Sequence, residues 1–412
     1  MLPEKLKQID QQLIDLLGKR IAVLAESQFI SLEEQITNFA FSLVQAGVPE
    51  SMWKNLVTGC TSAANTFSPA NTKPRRVTLV GGRGMMGHFF QQKLSAAGHY
   101  ISILDQGDWE QAESLLKKAD LVLVCVPIEY TIDAIHKLAK YLSPTTALAD
   151  IASIKTPILQ TMLEQHSGPV MSLHPMFGPG IKSFLCQKVV VCSGRGDDAF
   201  QWLLDLIEHD GGKLIVSTPK EHDEMMIAVQ AIRNFTTFSL GVFLAEQNID
   251  IRRSLDFSSP IFRLEMDIVG RLFSQSAPLV VDIMLATSER REAIGQLAIA
   301  YNRLAQLVIQ NDRDSLIQEF KATHSFLAED MHSAVEESTH LIDTLSTLLA
   351  AKDVEQKQLC FVSKQNAMPS LREASLSETL TRSPTAGVAI ANQPIAPRVE
   401  IISHGRTSES KG

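Results

Sequence analysis

The sequence predicts an α/β chain. A parallel sheet covered on both faces is preceded by a small helical segment and followed by an all-helical domain. Three observations carry this. Short β-rich runs of near-continuous hydrophobicity alternate with helical stretches between Val77 and Ser217, the texture of a parallel sheet with helices on both sides. A glycine pattern opens the first strand-to-helix turn. Strand signals vanish from about Pro219, where long helical spacings take over.

The 412 residues leave room for two or three domains. A net charge of −8 argues against general affinity for nucleic acid or an anionic membrane. No apolar run approaches the roughly 20 residues that cross a bilayer, and the N-terminal MLPEKLKQID lacks the apolar core of a signal peptide. The five cysteines (Cys60, Cys125, Cys186, Cys192, Cys360) are odd in number and form no CxxC pair. They read as reduced thiols rather than zinc ligands. The expectation is a cytoplasmic enzyme without a metal.

Residues 1–72 carry helical spacing. Leu6, Ile9, Leu13, Leu16, Leu17 and Leu24 line one pattern, a second runs from Leu32 to Ala46 before Gly47 and Pro49, and a third starts at Ser51. SPANTKPRR (68–76) reads as a linker. Residues 73–218 hold the strand candidates VTLVG (77–81), YISIL (100–104), LVLVCV (121–126), ALAD (147–150), PVMSL (169–173), KVVVC (188–192) and KLIVS (213–217). Residues 219–350 read as helical, with a heptad-like stripe from Met331 to Leu349. Residues 351–412, rich in Ser, Thr, Pro and Ala, read as a disordered tail.

VTLVGGRGMMGH (77–88) is a strand running into Gly82-x-Gly84-x-x-Gly87 and a helix. The first glycine permits the turn, the second lets backbone N–H groups approach a pyrophosphate, and the third lets helix and strand pack closely. The helix N-terminus then offers its positive end to the phosphates. This is the pattern of a Rossmann-type dinucleotide-binding domain. Asp105 closes the second strand, where a carboxylate accepts hydrogen bonds from ribose hydroxyls and repels the extra phosphate of NADP. A solvated turn residue is the other reading of Asp105. The cofactor read from this pattern is NAD.

Beyond the nucleotide half, polar groups gather where strands end. Asp150 closes the fourth strand and leads into IASIKTP, with Ser153 and Lys155; His174, in SLHPMFGP (172–179), closes the fifth. Ligands of doubly wound sheets bind outside the carboxyl ends of strands, so both loops should face one crevice. A histidine at a strand end can serve its loop as well as a reaction, and only this company points to a proton acceptor. His222 follows in PKEHDEM, then Arg263 and Arg271 in SSPIFRLEMDIVGRLF. These arginines are eight residues apart, about 80° on a helix, so both can point one way. Guanidinium groups among such apolar neighbours suit a carboxylate partner.

VGGRGMMG, ILDQGDW, VCVPI, DIASIK, SLHPMFGP, EHD, SSPIFRLE and VGRLF, in this order, resemble the prephenate dehydrogenase family, most of all its bifunctional form with a chorismate mutase segment. The resemblance spans roughly residues 1–350. It implies oxidative decarboxylation of prephenate to 4-hydroxyphenylpyruvate with NAD, in tyrosine biosynthesis, by a homodimer joined through its helical domain. It implies His174 at the ring hydroxyl, Ser153 and Lys155 beside the nicotinamide, and Arg271 and Arg263 on substrate carboxylates, with His222 and Asn234 in the same pocket. Met85, Met86, Val126 and Pro127 join Gly82, Gly84, Gly87 and Asp105 around the cofactor. Imidazole suits the hydroxyl because its pKa lies near neutrality.

Two departures stand out. DQQLIDLLGKRIAVLAE resembles a mutase helix, and Arg20 matches one of its catalytic arginines, but Pro3 and Ser31 stand where the family carries cations. Residues 1–72 hold five basic and seven acidic side chains, too few cations to stabilise the breaking ether of a dianion. The segment reads as a mutase remnant. Asn234 replaces the histidine that the bifunctional enzymes tie to tyrosine feedback. Arogenate or another cyclohexadienol remains an alternative substrate. A non-catalytic relative is the alternative of another class, opposed by the retained glycines, Asp105, Ser153, His174 and both arginines.

Overall fold

The computed structural model describes residues 2–27, 30–64, 73–178 and 180–366, with side chains as far as 355 and at 357. Residues Met1–Ala351 form one compact unit. It opens with α1 (Glu4–Glu26), α2 (Leu32–Thr37), α3 (Ala40–Ala46) and α4 (Glu50–Ala63). The single helix expected over Leu32–Ala46 is two, broken at Asn38 and Phe39, and it ends on Gly47 at φ +66°. Such a left-handed C-terminal residue is glycine's natural place. No residue of α1 is buried; its apolar stripe, including Leu6, Ile9, Leu13 and Leu16, is exposed. Most of the expected linker, residues 65–72, lies outside the described residues.

The second part alternates β1 (Arg76–Val80), α5 (Met85–Ala96), β2 (Tyr100–Leu104), α6 (Ala112–Leu116), β3 (Leu121–Val124), α7 (Ile128–Ala139), β4 (Ala147–Asp150), α8 (Thr156–Gln165), β5 (Val170–Pro175), β6 (Lys188–Arg195), α9 (Gln201–His209) and β7 (Lys213–Val216). All seven expected strands form, in the order β2-β1-β3-β4-β5-β6-β7. β1 to β5 are parallel, but β6 is antiparallel to β5 and carries β7 with it, which corrects an all-parallel sheet. The cause is the β5–β6 connection: its described residues form no helix, and a parallel return needs a crossover. His174 and Pro175 lie inside β5 rather than beyond it.

Alternate strand residues feed two cores. Val77, Leu79, Leu121 and Leu123 face one side, Val80, Val122, Val124 and Leu148 the other. The first core contains an aromatic cluster: Phe89 of α5 lies with its ring centroid 5.6 Å from Phe90, 5.0 Å from Phe184 and 5.3 Å from Phe177. Phe177 belongs to the loop after β5, so that loop is anchored from below. The final Pro179 of SLHPMFGP lies outside the described residues.

The helical part comprises α10 (Pro219–Met226), a π turn (Ile227–Ile232), α11 (Arg233–Glu246), α12 (Ile251–Asp256), α13 (Pro260–Phe273), α14 (Ala277–Leu285), α15 (Ser288–Ile309), α16 (Arg313–Leu327) and α17 (Met331–Asn366). α11 meets α13 closely because Gly241 faces Phe273, whose ring a Cβ would approach to 2.2 Å. Contrary to the expectation from sequence, the stretch Pro219–Glu246 has the length and apolarity of a membrane span, with 11% of its most apolar window buried. It packs on the sheet instead: its polar residues His222 and Asp223 bond to His174 of β5 and to the start of α8. α17 runs on to Asn366, past the expected start of the tail at 351; residues 367–412 lie outside the described residues.

Candidate active site

The strand order reverses between β1 and β3, and the turn after β1 faces that switch point. α5 starts at Met85 on Gly84, so the N–H groups of Met85, Met86 and Gly87 form the first turn, which a helix leaves without intrahelical partners. A Cβ on Gly87 would stand 2.5 Å from the Gly81 carbonyl oxygen, and one on Gly82 would meet Ile103 at 2.9 Å. Glycine is therefore required at both. Gly81, which the motif reading passes over, has φ +80° and would meet Val126 at 2.9 Å. Val126, against Gly81, and Pro127 lead from β3 into α7. Asp105 accepts the backbone N–H of Arg83 at 3.0 Å, and Asp108 holds the Arg83 guanidinium at 2.7 and 3.2 Å. The cradle of free N–H groups, with a carboxylate at the end of β2, suits a dinucleotide.

Across the crevice a proton-accepting chain leads to His174. Asp223 Oδ1 accepts the Nδ1–H of His222 at 2.9 Å, leaving His222 Nε2 to accept the Nδ1–H of His174 at 2.8 Å. The carboxylate at the end fixes both tautomers, and His174 Nε2 keeps its lone pair. Gln230 Nε2 donates weakly to it at 3.3 Å. Burial lowers the His174 pKa well below the ordinary imidazole value, and the charges of Lys155, His222 and Arg290 add to this against Asp223. His174 is thus a neutral acceptor at pH 7. Burial pushes the Asp223 carboxyl up, but hydrogen bonds from His222, Thr156 and Lys155 outweigh it and bring the pKa to about 2.

Lys155, expected beside the nicotinamide, is enclosed at the ends of β4 and β5. Its Nζ is fully buried and donates to Asp150 at 2.7 Å, Ser172 at 2.8 Å and the Leu173 carbonyl at 2.8 Å, so its three N–H groups are used. Ser172 in turn donates to Asp150. Lys155 and Asp150 thus form a buried ion pair that ties the ends of β4 and β5 together. His222, expected in the substrate pocket, is buried with both ring nitrogens engaged, one on His174 and one on Asp223. Ser153 is half-buried; its carbonyl accepts Arg290 Nη2 at 3.0 Å, while no partner among the described residues holds its hydroxyl.

Arg263 and Arg271 both sit on α13, as spaced, but differ in surroundings. Arg263 is half-buried and Arg271 exposed; among the described residues the Arg263 Nε has no partner and the Arg271 side chain has none. No hydrogen bond among the described residues joins either to His174. Asn234 is buried on α11, four residues after Gln230, and accepts Arg233 at 3.2 Å. In the N-terminal helices Arg20 donates to the buried Gln35 at 2.7 Å and lies over Trp53 at 5.8 Å.

Sequence reasoning missed Asp223, Gln230 and Arg290. Asp223 was legible as the residue beside His222; the other two carry no local signal. Arg290 is fully buried at the start of α15, with Nη1 on the Ile283 carbonyl at 2.8 Å and Nε unpartnered.

Known proteins match this arrangement. Family models described as prephenate dehydrogenase, nucleotide-binding domain, and prephenate dehydrogenase, dimerization domain, match residues 78–216 and 218–322. The T-protein of Haemophilus influenzae is 39% identical over 282 residues, 68% of this chain and 75% of that protein. The chain belongs to the prephenate dehydrogenase family. A T-protein of Enterobacter agglomerans is 34% identical, over 83% of this chain and 96% of its own length. The crystal structure of the family's A. aeolicus member, in complex with hydroxyphenyl propionate and NAD+, shares the fold: its TM-score is 0.51 at 17% identity, over 63% of this chain and 99% of that one.

Proposed function

We propose that the chain catalyses NAD-dependent oxidative decarboxylation of prephenate to 4-hydroxyphenylpyruvate. The observation that carries this reading is His174 Nε2, kept neutral by burial, aimed as a proton acceptor by the Asp223–His222 pair, and standing in the same sheet as a dinucleotide cradle. Gly82, Gly84, Gly87, Met85, Met86, Val126, Pro127 and Asp105 would hold NAD, which supplies the hydride acceptor. His174 Nε2 takes the C4 hydroxyl proton as the C4–H bond breaks. The ring carboxylate then leaves as CO₂, its bonding pair aromatises the ring, and the proton returns from His174 to the phenolic oxygen. Arg263 and Arg271 are the cations for the two carboxylates. Ser153, with its free hydroxyl, lines the reacting centre.

NADH formation with prephenate and with arogenate, for wild type and His174→Asn, tests this. Wild type is expected to prefer prephenate, and the variant to lose activity. An inert wild type would favour a non-catalytic relative. The arogenate reading has support in a probable arogenate/prephenate dehydrogenase of Methanocaldococcus jannaschii, 29% identical over 69% of each chain.

The dimerization-domain match and the exposed apolar side chains of α10 and the π turn (Met225 and Val229, 56% and 51% exposed) support a homodimer. We place the enzyme in the cytoplasm, and read residues 1–72 as a mutase remnant without turnover.

A further inference from the structure

The helix from Pro219 to Glu246 is broken by the π turn at Ile227–Ile232, and that turn has a geometric consequence. In an unbroken α-helix, Gln230 and Asn234 would stand about 80° and 120° round from His222. A π turn inserts about one extra residue, which brings both back to within about 20°. One face thus presents His222, Gln230 and Asn234 together. His222 and Asn234 are 2% and 7% exposed, and Gln230 reaches past His222 to the free nitrogen of His174.

The Gln230 amide is only half used. Its Nε2 makes a long bond of 3.3 Å to His174, and its Oε1 is buried with no partner. Buried amides are ordinarily satisfied, so a half-satisfied amide touching the proton acceptor is a group arranged for a ligand. Resting on the function proposed above, we infer that Gln230 is a catalytic residue that holds the C4 oxygen of the substrate. The entering hydroxyl donates to His174 Nε2 and accepts the Gln230 Nε2–H, displacing the weak amide–imidazole bond. As C4 loses hydride and the O–H bond gives its proton to His174, the oxygen becomes a carbonyl and then a phenolate. The amide donor strengthens its hold throughout. Gln230 itself makes and breaks no covalent bond.

The test is Gln230→Met, which keeps the volume and removes the donor. With prephenate, kcat should fall about 100-fold, at the lower edge of the roughly 10²–10³ that a lost oxyanion donor costs, and the KM for NAD should hold. Inhibition constants for 4-hydroxyphenylpyruvate and phenylpyruvate give a second readout. Wild type should prefer the hydroxylated ligand, and the variant should lose that preference. Unchanged kcat, or a reduced kcat with the preference intact, would overturn the assignment of Gln230 while leaving the prephenate reading standing. A wild type inert on prephenate would overturn that reading itself. Should Gln230→Met not fold, Gln230→Glu, equal in shape and lacking the donor, takes the same measurements with the same expected and overturning results.

Discussion

His174 Nδ1 lies 2.8 Å from His222 Nε2, and the two rings differ in what holds their other nitrogen: a carboxylate for His222, a displaceable amide for His174. Asp223→Asn removes the charge that orders this chain and frees His174 to take the wrong tautomer. We expect kcat/KM for prephenate to drop about 10- to 100-fold, part of the roughly 10²–10⁴ a positioned base supplies. Steady-state rates with NAD affinity unchanged check this.

Activity should fall as pH drops, because protonated His174 accepts nothing. Its lowered pKa puts that acid limb well below the ordinary 6.5. A profile of kcat/KM against pH reads the limb directly; a midpoint at or above the ordinary value would contradict the burial argument.

Stability should follow the same group. The folded state disfavours the imidazolium, so unfolding takes up a proton below the ordinary imidazole pKa. The contribution is fully present above about 6.5 and is lost as pH falls towards the depressed value. Asp223 adds a second loss between its ordinary 3.8 and about 2. Urea midpoints measured from neutral to acid pH should fall less steeply in His174→Gln than in wild type.

Lys155 and Asp150 form a fully buried pair at 2.7 Å. Lys155→Ala strands the carboxylate and should cost about 3–5 kcal/mol. The double variant Lys155→Met/Asp150→Asn should recover much of that loss. Thermal unfolding of both distinguishes a structural lysine from one facing the nicotinamide, whose loss would spare stability.

Asp105→Ser removes the charge opposed to a 2′-phosphate, and Asp108→Asn in the same chain frees Arg83 to meet one. The ratio of kcat/KM with NADP to that with NAD should rise at least about tenfold. An unchanged ratio would return Asp105 to a turn residue.

Purified full-length chain should not convert chorismate to prephenate. Arg20 Nη2 is bonded to Gln35 and the guanidinium lies over Trp53, which leaves only its buried Nη1 for a ligand, and residues 1–72 hold just four further basic side chains. Measurable turnover would refute the remnant reading.

The strands were legible because parallel strands buried on both faces run nearly continuously apolar, as in LVLV of β3, with polar residues entering β5 only at Ser172 and His174. Even the reversal at β6 had a signal in PMFGPGIKSF, which has no helical spacing to make a crossover. What could not be read were relations across long sequence separations. His174 and His222 meet over 48 residues, and Lys155 meets Asp150 through a strand end that spacing alone places but does not orient. The π turn left no mark in IAVQAI, so Gln230 was invisible until the helix was seen to slip.

Phe89 and Phe177 connect two jobs that chemistry keeps apart. Phe89 sits in the helix whose first turn faces the dinucleotide; Phe177 follows three residues after His174, and their rings touch edge to face at 5.3 Å. The helix and the base therefore share a mechanical bearing. A disturbance at Phe89 cannot stay on the cofactor side: it displaces the footing of the imidazole as well, so dinucleotide affinity and turnover are yoked in this protein and will drift together under mutation.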